Sequence, residues 1–122
     1  MVGGGVRIGE TSYAGIEWEA FEEAGIHAKV DYLAAVCENF FKGSGGEIEG
    51  RDCHTIEFYY AMKILDEDLN MCKHKTDVGE ELVWLPIEKI ETSKIKPEFI
   101  KEHIYEIINE RKTIHVIEER DR

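Results

Sequence analysis

Hydrophobic and polar positions follow two different periods along this chain, and the changes of period mark its elements. After a glycine-rich opening, residues 11 to 24 carry apolar positions at helical spacing. Thr11 or Ser12 can cap the start with a hydroxyl, and Gly25 supplies the residue that usually ends a helix. Ala14, Trp18 and Phe21 share one face of this helix and suit a core, while Glu19, Glu22 and Glu23 share another. Residues 28–41 then read as a strand, with Val30, Tyr32, Ala34 and Val36 alternating. The run KGSGGEIEGRD (42–52) reads as a loop, and a second strand over 54–65 places Ile56, Phe58, Tyr60, Met62 and Ile64 on one side. Two such strands around one loop predict an antiparallel pair. Tyr59 and Tyr60 are expected to serve as ordinary strand packing.

Downstream the pattern weakens. Residues 66–79 are polar and irregular, a predicted loop, and EELVWLP (80–86) predicts a short strand. Pro97 stands where a helix over about 97–110 would open, with Ile100, Ile104, Ile107 and Ile108 as its apolar stripe. Thr113 to Ile117 predicts a last strand, and the tail EERDR is expected to fray. Internal repeats, low-complexity segments and an interdomain linker are all lacking. The expectation is a single α+β domain over residues 1–122.

Composition narrows the class. Acidic residues outnumber basic ones, 26 to 15, for a formal charge of -11. That balance excludes a nucleic-acid binder, which needs a basic footprint. No apolar run approaches the ~20 residues of a membrane span, and no signal-type leader precedes the first glycines. The three cysteines (Cys37, Cys53, Cys72) cannot all pair and form no CxxC, which suits a reduced, cytoplasmic setting. Cys53-His54 and Cys72-Lys73-His74 offer soft ligands, but no complete four-ligand zinc pattern follows.

The glutamates of the first helix carry the candidate chemistry. Stacked like charges repel on a helix face, and a hard divalent cation such as Mg²⁺ or Mn²⁺ is the natural compensator. A solvated acidic face is the plain alternative. Around them stand Gly4, five residues, Glu10, seven residues, and then WEAFEEAGI (18–26). The chain thereby resembles the Nudix hydrolases. Their signature box runs Gly, five residues, Glu, seven residues, Arg-Glu, an aliphatic, any residue, Glu-Glu, any residue, Gly, an aliphatic. Two positions depart from it. Trp18 replaces the arginine that pairs with the first glutamate, here Glu10, so an indole is expected to take that space; Ala20 replaces a larger aliphatic. Two other readings of these glycines fail: Glu10 stands where a P-loop needs lysine, and Ile8 where a dinucleotide fingerprint needs glycine.

The resemblance implies a Nudix-like mixed sheet between helices and water attack on a diphosphate joined to another group. It implies Glu19, Glu22 and Glu23 as ligands of Mg²⁺ or Mn²⁺, with Glu19 and Glu22 catalytic and a backbone carbonyl from Gly3 or Gly4. Glu80 or Glu81 could add a further carboxylate, with a plain surface glutamate as the alternative; Arg7, in the loop, could touch phosphate or stand as an exposed loop arginine. The implied substrate is a small nucleotide-type molecule: a nucleoside diphosphate linked to another moiety, or a nucleoside triphosphate. A Nudix-fold remnant that binds a ligand or partner without turnover is the second reading, favoured by Trp18. The family's usual N-terminal strands have no counterpart before Gly3, so the fold is expected to look N-terminally truncated. An exposed sheet edge then predicts a homo-oligomer, a dimer or domain-swapped assembly, or else a piece of a longer protein.

Overall fold

A computed structural model describes residues 1–120, the side chain of Arg120 excepted; Asp121 and Arg122, the end of the predicted tail, lie outside the described residues. Helix α1 spans Ser12–Ala24, strand β1 Lys29–Lys42 and strand β2 Asp52–Lys63. The short helix α2 covers Asp66–Leu69, helix α3 covers Phe99–Glu110, and strand β3 covers Ile114–Arg120. The three strands form one mixed sheet in the order β2-β1-β3, with β1 antiparallel to β2 and parallel to β3.

The long central strand does not keep the simple alternation that its sequence predicts. Its register against β2 shifts between Val30 and Tyr32 and again between Leu33 and Ala35. Each bulge places one unpaired residue in the ladder and resets which side chains face which way. Tyr32, Ala35, Cys37 and Asn39 therefore share a face with Ala61, Tyr59, Glu57 and Thr55, while Leu33, Val36 and Glu38 share the other with Tyr60, Phe58 and Ile56.

A small core forms on each face. On one, Ala35 and Cys37 are covered by Phe99 of α3, with Tyr59, Ile100, Ile114 and Val116 around them. Tyr59 meets the Phe99 ring edge-on at 5.1 Å and donates its hydroxyl to Glu57 at 2.6 Å. Burial, and then that carboxylate, push the phenol's pKa well up, so it stays a neutral donor. On the other face Ala20 and Ala24 of α1 pack with Ile26 and Ala28 against Val2, Met62, Ile64 and Leu82. The sheet thus lies between α1 and α3.

Several expectations fail for identifiable reasons. No strand forms over 80–86; a single bridge between Lys75 and Glu81 stands in its place. The backbone there is spent locally, through Thr76 N–H to Glu80 O (2.8 Å) and Leu82 N–H to His74 O (2.9 Å). Val83 is left 81% exposed and Trp84 56%. The predicted loop 66–79 contains α2. Helix α3 begins two residues after Pro97, whose carbonyl accepts the Ile100 amide at 3.3 Å. Glu118, Glu119 and Arg120 do not fray, because they pair in parallel with Asn39, Phe40 and Phe41 of β1. Ala14, Trp18 and Phe21 are not core: all three are exposed, and the buried positions of α1 are Gly15, Ala20 and Ala24. Small residues let the helix approach closely and leave the indole and phenyl outside, 6.1 Å apart, with His27 stacked on Phe21 at 4.8 Å.

Candidate functional site

Helix α1 positions the candidate site, and its ends are held as the sequence predicts. Thr11, in extended conformation, accepts the Ala14 amide at 3.2 Å. Gly25 closes the other end at φ 73° and donates to Phe21 O at 2.8 Å. Lys73 reinforces that end, with its amide 2.8 Å from Ala24 O and its Nζ 3.2 Å from Glu22 O. A cation there suits the negative end of the helix dipole.

The glutamates diverge. Glu19 and Glu23, one helical turn apart, are half-buried and in hydrogen-bonding contact, whereas Glu22 is exposed. Burial, followed by the charge and hydrogen bond of Glu19, raises the Glu23 carboxyl above its ordinary value of 4.5. Glu80 adds to that field, while a backbone hydrogen bond from Gly3 opposes it. Gly3 therefore meets this cluster through its backbone. Of the two later carboxylates, Glu80 is the one that reaches the cluster; Glu81 sits in the bridge to Lys75.

The glycine loop lies directly on this pair. A Cβ at Gly4 would stand 2.7 Å from Glu19 Oε1 and 2.9 Å from its Cδ, closer than packed atoms come. Glu10 is held nearby: it accepts the Arg7 amide at 3.0 Å, and its carboxylate rests 3.1 Å from where a Cβ on Gly15 would be. Trp18 stands in the arginine position. It is 45% exposed and faces Phe21. What Arg7 contributes to the site is its backbone, in that bond to Glu10.

Between the glycine loop, α1 and β2 runs a groove of about 600 Å³. Glu19, Gly3 and Gly4 form one part of its wall; Ser12, Ile16 and the β2 residues Ile56 to Tyr60 form another. Ser12 Oγ and Tyr60 Oη meet at 2.6 Å, joining the start of α1 to β2. Sequence reasoning missed this pair and Lys73. Ser12 and Tyr60 are 48 positions apart, and the one available signal is Tyr60's place on the Ile56–Phe58–Met62 side of β2.

The donor set is oxygen throughout, which suits a hard divalent cation rather than zinc. Among the described residues, no three His, Cys, Asp or Glu side chains are gathered tightly enough to hold a metal ion by themselves. What the chain gathers is a like-charged pair, Glu19 and Glu23, with Glu80 in range. Such a pair is costly without a proton or a cation between its members, and in that sense the residues fit a divalent ion. Among the described residues, no helix is long and apolar enough to cross a membrane.

A family model described as NUDIX domain matches residues 1–107. No curated protein matches the chain.

Proposed function

Because the chain belongs to the Nudix family, whose members are typically hydrolases that use divalent metals, we propose that it is a Mg²⁺- or Mn²⁺-dependent pyrophosphohydrolase of a nucleotide-type substrate. That substrate is a nucleoside diphosphate linked to another moiety, or a nucleoside triphosphate. The observation that carries this reading is the close approach of Gly4 to Glu19, a carboxylate that lines the groove, with Glu23 one helical turn on in its field.

Glu19 and Glu23 would hold the cation, with Glu22 completing the set from the next position on the helix. A divalent ion bound there neutralises phosphate charge and orients the attacking water. The chain's own residues do the rest. Gly4 lets the loop close on Glu19, and the Gly3 amide fixes Glu23. Glu10 braces the loop through the Arg7 amide, and the groove seats the substrate beside the carboxylates. Water adds across the P–O–P bond, and Glu19 or Glu22 accepts its proton. A nucleoside diphosphate conjugate then separates into two monoesters, and a nucleoside triphosphate into nucleoside monophosphate and pyrophosphate, or nucleoside diphosphate and phosphate.

A second reading, ligand binding without turnover, draws support from exposed Glu22, from the lack of a gathered three-carboxylate cluster among the described residues and from Trp18 in the arginine position. One assay separates the two. The protein is incubated with Mg²⁺ or Mn²⁺ and a panel of nucleotides and nucleoside diphosphate conjugates, and release of phosphate or nucleoside monophosphate is measured. Metal-dependent release that Glu22→Gln abolishes, with the fold intact by circular dichroism, supports hydrolysis. Turnover indifferent to that change would overturn the ligand assignment, and no turnover on any compound would leave binding alone.

A further inference from the structure

The groove beside Glu19 has a composition that selects among diphosphates. We propose that, within the hydrolase reading above and at the same site, the group entering this groove is uncharged and apolar. The preferred substrate is then an alkyl or aryl diphosphate, ahead of a sugar-terminated or triphosphate one. Its hydrolysis would add water across the P–O–P bond to give the organic monophosphate and inorganic phosphate, with one proton released to solvent.

The residues on the wall carry the argument. Val2, Val6, Ile16, Ile56, Phe58 and Met62 give it a largely aliphatic and aromatic wall. Ile56 is 62% exposed and Phe58 50%, so these side chains meet water until something covers them. Among the described residues, no lysine, arginine or histidine lines the groove, and its side-chain carboxylate on this face is that of Glu19. Glu57 borders it from β2 but carries its carboxylate on the α3 face, where Thr55, Tyr59 and Asn39 donate to it. A third phosphate would therefore bring charge that no side chain in the groove can answer. A sugar would fare little better, because each buried hydroxyl needs a partner. The side-chain hydroxyls near its middle are those of Ser12 and Tyr60, bonded to each other at 2.6 Å. An aliphatic or flat apolar group asks for none of this and covers Ile56 and Phe58. Continuity with Gly4 and Glu19 places its diphosphate at the acidic end.

The test compares geranyl diphosphate, ATP and ADP-ribose as substrates with Mg²⁺. The expected kcat/KM is at least tenfold higher for geranyl diphosphate, and Phe58→Ala should raise its KM about tenfold while changing that of ADP-ribose little. Turnover that favours ATP or ADP-ribose overturns the inference and leaves the hydrolase reading standing. Methyl NMR of the methionines, with a non-hydrolysable geranyl methylenediphosphonate, covers the case of an inactive protein. Movement of Met62 with Met71 still supports the apolar groove while hydrolysis fails; no movement of Met62 overturns it. A Met62 signal that shifts with protein concentration alone would place a second copy of the chain in the groove, which also overturns it.

Discussion

Gly4 matters because of what lies over it. A methyl group there collides with Glu19, and the atom it meets is the tip of a flexible side chain rather than backbone. The carboxylate can swing away, so Gly4→Ala should cost little stability but displace the group best placed to hold a cation. The expected result is a fall of at least tenfold in metal-dependent turnover, with a change in unfolding free energy within ~1 kcal/mol by urea titration. Gly43 offers the contrast, since its Cβ would run into the backbone carbonyl of Ile48. Gly43→Ala should destabilise by about 2 kcal/mol or more and leave the unfolded fraction detectable in the same titration. The spacing of Glu19, Glu22 and Glu23 was readable as one acidic row. Which two would meet was not, because that depends on the glycine loop settling over the turn that Glu19 and Glu23 share. Ser12 and Tyr60 were unreadable for a simpler reason: no local pattern links positions 48 apart.

Among the elements, α1 departs most from its sequence-based picture. Periodicity located the helix and both caps, but it assigned Ala14, Trp18 and Phe21 to the core because they recur on one helical face. The structure buries the small residues instead, as a close helix approach requires. With Trp18 largely free and Gly15 one turn before it beneath Glu10, an arginine at position 18 could reach that carboxylate. Trp18→Arg should raise turnover severalfold while shifting stability by no more than ~0.5 kcal/mol; unchanged turnover would mean the Arg7 amide already suffices to hold Glu10. At the opposite end of the fold, Arg111 follows α3 in a left-handed conformation at φ 55°. Its Nη2 meets both oxygens of Asp31 at 3.0 Å, and its guanidinium lies 4.5 Å over the Tyr32 ring. This clasp ties α3 to the first bulge of β1 and holds the Asp31 carboxyl below its ordinary value of 3.8. A depressed carboxylate contributes stability in full above its unfolded pKa and loses it as pH falls through the folded one. Thermal melts should therefore weaken below pH 3.8 by an amount that Asp31→Asn removes, and identical acid limbs in both proteins would deny the clasp that role.

Taken whole, the molecule is a three-stranded sheet whose two faces are filled unequally. Alternation in 54–65 made β2 and its apolar row Ile56 to Ile64 legible, yet α3 covers the opposite face, that of Tyr59, and Ile56 and Phe58 stay exposed. What meets that row on the second face was not legible, since it is alanines, a glycine loop and carboxylates, and strand-like 80–86 finds no neighbouring strand to join. That second face carries an electrostatic cost on top of a net charge of -11. Glu23, partly buried, lies in the field of Glu19 and, more weakly, of exposed Glu80. A cation that binds only the folded chain should relieve this cost and stabilise by mass action, ~2.7 kcal/mol at a hundred times its Kd. For a domain of this size that is a rise in Tm on the order of 10 °C. Added salt also screens an acidic protein, so the comparison must be MgCl₂ against NaCl at equal ionic strength. Glu23→Gln removes the repulsion at its centre. The metal-free variant should melt higher than the parent protein, and magnesium should add little to it. A rise with MgCl₂ no larger than with NaCl, or an equal magnesium increment in Glu23→Gln, would show that the acidic pair tolerates its own repulsion and that the loop over Glu19 closes on no ion.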